Sequence, residues 1–514
     1  MNRLIKSPGL VNHIKIALLS SAVIMPFAYT STVYAEGEAG DNVEESVISA
    51  NRREQPISEV GKSITVLGEE ALKLQQFNFV LDALQTVPGV SINQNGTFGG
   101  LASVSIRGNS SDQTVILIDG VQVNDPSGPG GGFNFSTLDP NGIERIEVVR
   151  GPQAVLYGSD AIGGVVNIIT KGGGNGFGGS VFGEFGSYSS VRTGANIYGG
   201  SEDFGYNLSA SLNDTDGISA AETEDGNPED DGFRNYTLRG RVHAKISDGL
   251  RTELTSTYSD SRNEFDSFGP VDGDEIGNSE EFLIASRTSL DLLDGRFTNT
   301  VSVEYSRIDR QNLSDGVESF AADGERFNLD YIGSFDIDDS WNLTAGAQHE
   351  EISTSVDDED ISIDSVFGLV SFSGIEGLTL SGGIRVDDHE TFGSVTNGQV
   401  SASYQIEETG TRIIANWGEG FKAPTIFQLT FTCCGFAGQP AAGRVDDPLN
   451  PERSDAFEIG LEQELFDGQL KIGATYFDQD VDNLIVFTFA DGYRNLDSAR
   501  SKGIEATVEG TLSE

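Results

Sequence analysis

The sequence contains few of the residue types that build disulfide frameworks and many catalytic centres. Its 514 residues include two cysteines, four histidines, two tryptophans and two methionines. Cys433 and Cys434 are adjacent, so they can form only a strained vicinal disulfide, which cannot hold a large fold together. No Ser/His/Asp set, zinc-type His/Cys spacing or phosphate-binding loop is present. The sequence therefore predicts a protein that is not an enzyme.

Basic residues are also scarce. Lysine and arginine together number 32 against 80 acidic residues, which gives a formal net charge of -48. Nucleic acid is excluded as a partner, because its binding needs lysine and arginine against phosphate. We interpret the acidity mainly as hydration of surface loops, with the binding of calcium or another cation as the alternative.

Long apolar runs are missing after the first residues. Residues 1–35 combine three basic side chains with an apolar run over 16–25 and a small-residue site at 33–35, as a secretory signal peptide does. No later stretch approaches the roughly 20 apolar residues that a membrane-spanning helix needs. Any part of the chain that crosses a membrane must therefore do so as β-strands.

From about residue 178 onward, apolar and polar residues alternate along short segments. Tyr206, Leu208 and Ala210, for example, interleave with Asn207 and Ser209. The same period of two returns over residues 237–244, 300–305, 341–347 and 470–477. This period is typical of strands with one face in lipid and one in a polar lumen, although a soluble β-sandwich alternates equally well.

The connections between these segments favour the membrane barrel. Some are tight turns, at 247–249 and 467–468, whereas others are long and polar, over 214–233, 263–279 and 428–451. Short turns at one rim and long loops at the other are usual for outer-membrane barrels. The alternating segments number about 17, whereas plugged transporters have 22 strands. We therefore expect residues 178–514 to form a transmembrane antiparallel β-barrel that is incomplete at its C-terminus.

Residues 55–171 precede the strand region and follow a different pattern. A helix is expected over residues 68–87, beginning near Glu69 and ending before Pro88, among short β-rich and glycine-rich pieces. These features predict a compact α+β domain ahead of the barrel, so the fold class is mainly β.

Seven strings of residues carry a resemblance to a known family. They are SIRG (105–108), VILIDGV (115–121), IERIEVVRGP (143–152), LYGSDAIGGVVNIIT (156–170), GFKAPT (420–425), NPERSDAFEIGLE (450–462) and ARSKGIEATVEG (499–510). By these motifs the chain resembles the TonB-dependent outer-membrane receptors. The resemblance implies a monomeric barrel in the bacterial outer membrane, with 22 strands when complete and with residues 55–171 inside it as a plug domain.

The resemblance also implies how the plug is held and how it is moved. Arg107 and Arg150 would face the barrel carboxylates Glu458 and Glu505, and the alternative is that these arginines are solvated at the surface. In the periplasmic tail, residues 36–54, the segment 44–50 resembles the TonB box. Its residues are Glu45, Ser46, Val47, Ile48, Ser49 and Ala50. Such an extended segment can add as a strand to TonB, which works with ExbB and ExbD in the inner membrane.

Within the family, residues 92–108 and 157–170 are most similar to cobalamin receptors. On that resemblance, the candidates for contact with the corrinoid are Leu101, Ser103, Ser110, Gly128 and Pro129. Ordinary loop structure is the alternative for these positions. The acidic segment 227–233 resembles a calcium-binding loop of such receptors, with Glu229 and Asp231 as candidate ligands.

The sequence as a whole predicts TonB-dependent import of a large, scarce nutrient, with cobalamin as the preferred ligand and no required cofactor. A ferric siderophore or haem is the alternative ligand within the same family. A passive porin and an adhesin or signalling receptor are alternatives of other classes.

Overall fold

The computed structural model describes residues 46–47, 50–75, 77–219, 230–266, 275–355, 359–430, 449–466, 468–488 and 492–510. All of them belong to one compact unit, residues 45–514. No helix formed by these residues is long and apolar enough to cross a membrane.

The N-terminal part is an α+β domain built from short elements. These are β1 (Ser46–Val47), β2 (Gln55–Pro56), β3 (Ile64–Gly68), α1 (Glu69–Leu74), α2 (Val80–Leu84), β4 (Val90–Gln94), β5 (Ala102–Ile106), β6 (Thr114–Ile118), β7 (Val121–Gln122), β8 (Ile143–Arg150), α3 (Ala154–Tyr157) and β9 (Gly164–Thr170). Five strands form a mixed sheet in the order β3-β8-β9-β6-β7, in which β6 and β9 run parallel. The pairs β1-β2 and β4-β5 form two small separate sheets.

The helix expected over residues 68–87 is two short helices, so the prediction of a single helix is wrong. The reason lies in the link between α1 and α2. Phe77 and Phe79 pack against the buried core of the domain, which turns the chain away from a continuous helix. The Asp82 carboxylate then accepts a hydrogen bond from the backbone N–H of Phe79 at 3.0 Å and so caps the start of α2.

Most of the described residues from Gly176 onward form one large antiparallel sheet in which each strand pairs with the next. Its strands are β10 (Gly176–Phe185), β11 (Val191–Gly200), β12 (Phe204–Thr215), β13 (Phe233–Ser247), β14 (Leu250–Phe265), β15 (Glu275–Leu292), β16 (Phe297–Ser314), β17 (Val317–Asp336), β18 (Trp341–Thr354), β19 (Glu359–Ile375), β20 (Leu378–His389), β21 (Gly393–Ile406), β22 (Thr411–Lys422), β23 (Glu452–Leu465), β24 (Leu470–Thr488) and β25 (Gly492–Gly510). A short helix, α4 (Ile426–Thr430), follows β22. The pattern of alternation gives about 17 segments, and the sheet in the described residues has 16 strands.

Burial along these strands is the reverse of that in a soluble sandwich. On β12, the side chain of Leu208 is exposed, whereas Asn207 and Ser209 are buried. The polar residues are buried because they face a lumen that the N-terminal domain fills. The apolar residues therefore face outward, as they do where lipid surrounds a barrel.

The domain inside the sheet touches the barrel wall at close range. A Cβ atom on Gly61 would lie 2.6 Å from the backbone nitrogen of Ala402 on β21, so only glycine fits there. Leu283 and Ala285 of β15 belong to the same buried apolar cluster as the core of the domain. Residues 55–171 thus occupy the position of a plug.

Candidate functional site

A cavity of about 1150 Å³ opens between the plug and the barrel at the end that carries the long loops. Plug residues 95–101, 110–112 and 128–130 form one side of it. Residues of β14, β15 and β16 form the opposite side, and Tyr493 at the start of β25 closes one edge. The volume exceeds the range of about 300–1,000 Å³ that is usual for small-molecule sites.

All five residues predicted to contact the ligand line this cavity. Leu101 lies between β4 and β5, and 57% of its surface is exposed. Ser103 follows on β5, and Ser110 stands at the start of a single 3-10 turn, Ser111–Gln113. Gly128 and Pro129 lie in a loop whose shape is fixed by Asp125. The Asp125 carboxylate accepts hydrogen bonds from the backbone N–H and the hydroxyl of Ser127, at 2.9 and 2.7 Å.

The described residues around the cavity are strongly acidic. The acidic side chains are Asp112, Asp125, Asp231, Glu264, Asp266 and Glu281. Arg310 is the basic residue among the described lining, and its Nε lies 2.8 Å from Asp125 Oδ2. Aromatic rings of Phe98, Phe133 and Phe265 provide apolar surface on the same walls. The cavity therefore suits a large ligand with apolar faces and without a large negative charge.

The two calcium candidates have different positions. Asp231 is buried, with 3% of its surface exposed, and lines the cavity. Glu229 lies outside the described residues, as do Cys433 and Cys434. Among the residues that are described, no group of three or more histidine, cysteine, aspartate or glutamate side chains is arranged to hold a metal ion. Calcium binding therefore stays a prediction.

The four residues predicted to join plug and barrel lie together below the cavity. Arg107 bridges both carboxylates, with Nη1 at 2.9 Å from Glu458 Oε2 and Nε at 2.9 Å from Glu505 Oε1. Its guanidinium also stacks 4.5 Å from the ring centroid of Phe477. Arg150 lies at the edge of the group, with Nε at 3.5 Å from Glu505 Oε2. The arrangement is a shared cluster centred on Arg107 rather than two separate pairs.

The surroundings affect the two arginines differently. Burial disfavours the charge of Arg107, but Glu458 and Glu505 outweigh burial and raise its pKa overall. Burial dominates for Arg150 and lowers its pKa, with Glu505 acting in the opposite direction. Both side chains remain charged at neutral pH, because a guanidinium does not release its proton in this range. The cluster is therefore a buried and largely balanced set of charges.

The predicted TonB box lies at the opposite end of the plug, near the short turns. Ser46 and Val47 pair with Pro56 and Gln55 in a ladder of two residues. Val47 and Ala50 are fully buried and form an apolar cluster with Val60. Glu45, Ile48 and Ser49 lie outside the described residues. In the described positions the tail is thus packed against the plug.

Two basic residues that the sequence analysis did not single out hold this tail. Arg52 Nη1 lies 3.0 Å from Asp330 Oδ2 of β17, and its guanidinium stacks on the ring of Tyr157 at 4.8 Å. Lys62 Nζ donates a hydrogen bond to the backbone oxygen of Ala50 at 3.1 Å. No pattern in the sequence separates either residue from a solvated basic side chain.

Comparison with known proteins identifies the family. A model of the β-barrel of TonB-dependent receptors matches residues 176–513, and a model of the TonB-dependent receptor plug domain matches residues 56–165. The chain belongs to the TonB-dependent receptors. This receptor is therefore an outer-membrane β-barrel with a plug, and TonB-dependent transport across the outer membrane is its function.

Curated relatives of this receptor are named as vitamin B12 transporters. BtuB of Photobacterium profundum is 30% identical over 508 residues, which cover 95% of this chain and 79% of the relative. BtuB of Vibrio vulnificus is 28% identical over 523 residues, which cover 96% of this chain and 78% of the relative.

Solved structures with the same fold are titled as siderophore receptors. PirA of Pseudomonas aeruginosa superposes with a TM-score of 0.70 at 23% identity, over 88% of this chain and 82% of PirA. A mutant of the ferric enterobactin receptor PfeA of the same organism gives a TM-score of 0.72 at 21% identity, over 88% of this chain and 78% of PfeA. At these identities the likeness concerns the fold alone.

Proposed function

We propose that this receptor imports cobalamin and that TonB drives the import by pulling on the tail at residues 44–50. The observation that carries the choice of ligand is the charge of the cavity, where six acidic side chains face one arginine among the described residues. The names of the curated relatives support the same ligand.

Charge separates the two candidate ligands. A ferric tris-catecholate is a multiply charged anion, and like charges about 4 Å apart repel by about 4 kcal/mol at an effective permittivity of about 20. A corrinoid presents neutral amide groups around its ring, and its cobalt balances its phosphate. The acidic cavity therefore penalises the catecholate complex far more than the corrinoid.

The route from ligand to tail follows from the order of the contacts. Cobalamin rests against Leu101, Ser103 and Ser110, and the last of these lies three residues after Arg107 in the chain. Contact of the ligand with residues 107–110 shifts Arg107 relative to Glu458 and Glu505. This shift weakens the contacts between the plug and the tail. TonB then pairs with the released segment as an added strand and transmits the pull through main-chain hydrogen bonds.

A ferric siderophore is the second candidate, since solved structures titled as siderophore receptors share the fold. Equilibrium binding of cyanocobalamin and of ferric enterobactin to the purified receptor, each with the other as competitor, separates the two. We expect saturable cobalamin binding that ferric enterobactin does not displace. Displacement by ferric enterobactin, or an absence of cobalamin binding, would overturn the proposed ligand.

Calcium is a further part of the proposal, through Glu229 and Asp231. Carboxylate oxygens are suitable ligands for this ion, provided that six to eight oxygens converge, and Asp231 of the loop 227–233 lines the cavity. If calcium orders this loop, removing it with a chelator will weaken cobalamin binding, and the variant Asp231→Asn will abolish that dependence. An equal affinity for cobalamin with and without the chelator would show that calcium has no role in binding.

A further inference from the structure

Lys62 connects three separate parts of the receptor through one atom. Its Nζ donates hydrogen bonds to the backbone oxygen of Ala50 at 3.1 Å, to Gln153 Oε1 at 2.7 Å and to Gln399 Oε1 at 3.3 Å. Ala50 belongs to the tail, Gln153 to the plug beside α3, and Gln399 to β21 of the barrel wall. The side chain of Lys62 thus connects the tail to both the plug and the barrel.

The donors and acceptors at this point match in number. An ammonium group has three N–H donors, and three oxygens surround Nζ. Lys62 has 1% of its surface exposed, so water does not replace these contacts while the tail is docked. Without the lysine, three buried oxygens lose this donor, which destabilises the docked state of the tail. In the released state the Ala50 oxygen can bond to water instead, so loss of the lysine favours release.

The next residue in the chain links Lys62 to the charged cluster below the cavity. The backbone N–H of Ser63 donates to Glu458 Oε1 at 3.0 Å, and its hydroxyl donates to Glu458 Oε2 at 2.8 Å. Arg107 Nη2 donates to the Ser63 hydroxyl at 3.3 Å. Ser110, on the cavity wall, follows Arg107 by three residues. A continuous series of contacts therefore joins the cavity wall to the tail.

We propose that Lys62 is a positioning residue that holds the tail against the plug. Movement of residues 107–110 then weakens this hold and releases the tail. The inference rests on the proposed TonB-dependent function and adds to it the side chain that controls access to the tail. Lys62 contacts neither the ligand nor TonB in this role. It acts by holding the carbonyl of Ala50, and its loss affects the ligand-free receptor.

The charge state of Lys62 decides how many hydrogen bonds it can donate. Burial lowers the pKa of Lys62 to about 7, and the field of Glu458 acts in the opposite direction. The ammonium form, with one N–H for each of the three oxygens, therefore predominates below about pH 7.

The test measures access to the tail in the ligand-free receptor. A reporter variant, Val47→Cys with Cys433→Ser and Cys434→Ser, is labelled by a thiol reagent in detergent at pH 6.5, where the Lys62 ammonium predominates. Adding Lys62→Met is expected to speed labelling roughly tenfold or more. Lys171→Met serves as the matched control, because Lys171 is a plug lysine that pairs with Glu69 at 2.9 Å, away from the tail. This control is expected to leave the rate unchanged.

One further readout separates positioning from general damage. A second reporter, Ala83→Cys in the same cysteine-free background, reports on the fully buried plug core and is expected to stay protected in Lys62→Met.

Two results would overturn the proposal. They are an unchanged labelling rate at Val47→Cys and an equal rise at Ala83→Cys. None of these measurements uses cobalamin or TonB. A failure of the proposed ligand would therefore leave the result on Lys62 standing, and the reverse also holds.

Discussion

Arg107 lies between Glu458 and Glu505 and is also stacked on Phe477, so one side chain joins the plug to two strands of the barrel wall. Removing one partner from such a buried group leaves an uncompensated charge, which typically costs about 3–5 kcal/mol. When the plug moves, water can replace the hydrogen bonds between these charged groups. Water cannot replace the contacts of a dry apolar interface in this way.

The first prediction concerns Glu505. Glu505→Gln keeps the size of the side chain but removes its charge, so Arg107 keeps Glu458 while Arg150 loses its counter-charge. We expect the free energy of opening of plug amides in β5 and β8 to fall by about 3 kcal/mol. Hydrogen exchange measures it, with Glu509→Gln as the control, because Glu509 is an exposed glutamate on the same strand. An equal effect of the two variants would show that the cluster does not hold the plug.

The second prediction concerns the cavity wall. Leu101→Ala removes apolar contact from an exposed side chain, so it is expected to weaken cobalamin binding about tenfold without destabilising the plug. Leu74→Ala is the matched control, since Leu74 is an exposed plug leucine outside the cavity. Equilibrium binding to the two variants provides the comparison. Wild-type affinity in Leu101→Ala would place the ligand elsewhere.

At this scale the sequence located some residues and missed others for physical reasons. The resemblance to the family identified Arg107, Arg150, Glu458 and Glu505, but it could not show that Arg107 contacts both glutamates. That geometry depends on contacts between residues nearly 400 positions apart. Lys62 was missed because a single lysine in a polar segment has the same pattern as a solvated one, and only burial shows the difference.

The strand β1 is paired only weakly, and this weak pairing suits a segment that must be released. It pairs with β2 over two residues, and so short a ladder is marginal without further contacts. The buried side chains of Val47 and Ala50 and the hydrogen bond from Lys62 supply those contacts. Loosening them frees an extended segment that is suited to pair with another sheet edge.

The third prediction concerns this strand. Val47→Pro removes a backbone N–H and so interrupts strand addition, whereas Val47→Ala keeps the N–H and shortens the side chain. Proline is expected to reduce TonB-dependent uptake to background while ligand affinity stays within about twofold of wild type. Alanine is expected to retain uptake. Uptake that persists in the proline variant would favour a passive porin over a receptor driven through its tail.

The sequence predicted the type of most elements better than their extent. Alternation identified the barrel strands because one face of each strand meets lipid and the other meets the polar lumen. Successive residues must therefore be apolar and polar in turn. The prediction of a single helix over residues 68–87 was wrong, because the partly buried Phe77 and Phe79 pack against the plug core, and that contact depends on tertiary structure. Local periodicity carries no information about that packing.

On the scale of the whole molecule, the sequence could predict the architecture and the family but not the shape of the cavity. The apolar outer face of the sheet and the polar residues buried against the plug follow from alternation. The acidic wall combines residues from two domains, such as Asp112 of the plug and Glu264 of β14. A composition with a net charge of -48 does not indicate where acids will gather, because nearly every loop contains some.

We propose above all that this receptor uses TonB to import cobalamin. The most direct test of this proposal is uptake of radiolabelled cobalamin by cells that lack their own cobalamin receptor and express this one, with and without TonB and with and without residues 44–50. We expect uptake to require both TonB and the tail, whereas binding to the cell surface is expected to require neither. Uptake that continues without TonB, or an absence of surface binding, would contradict it.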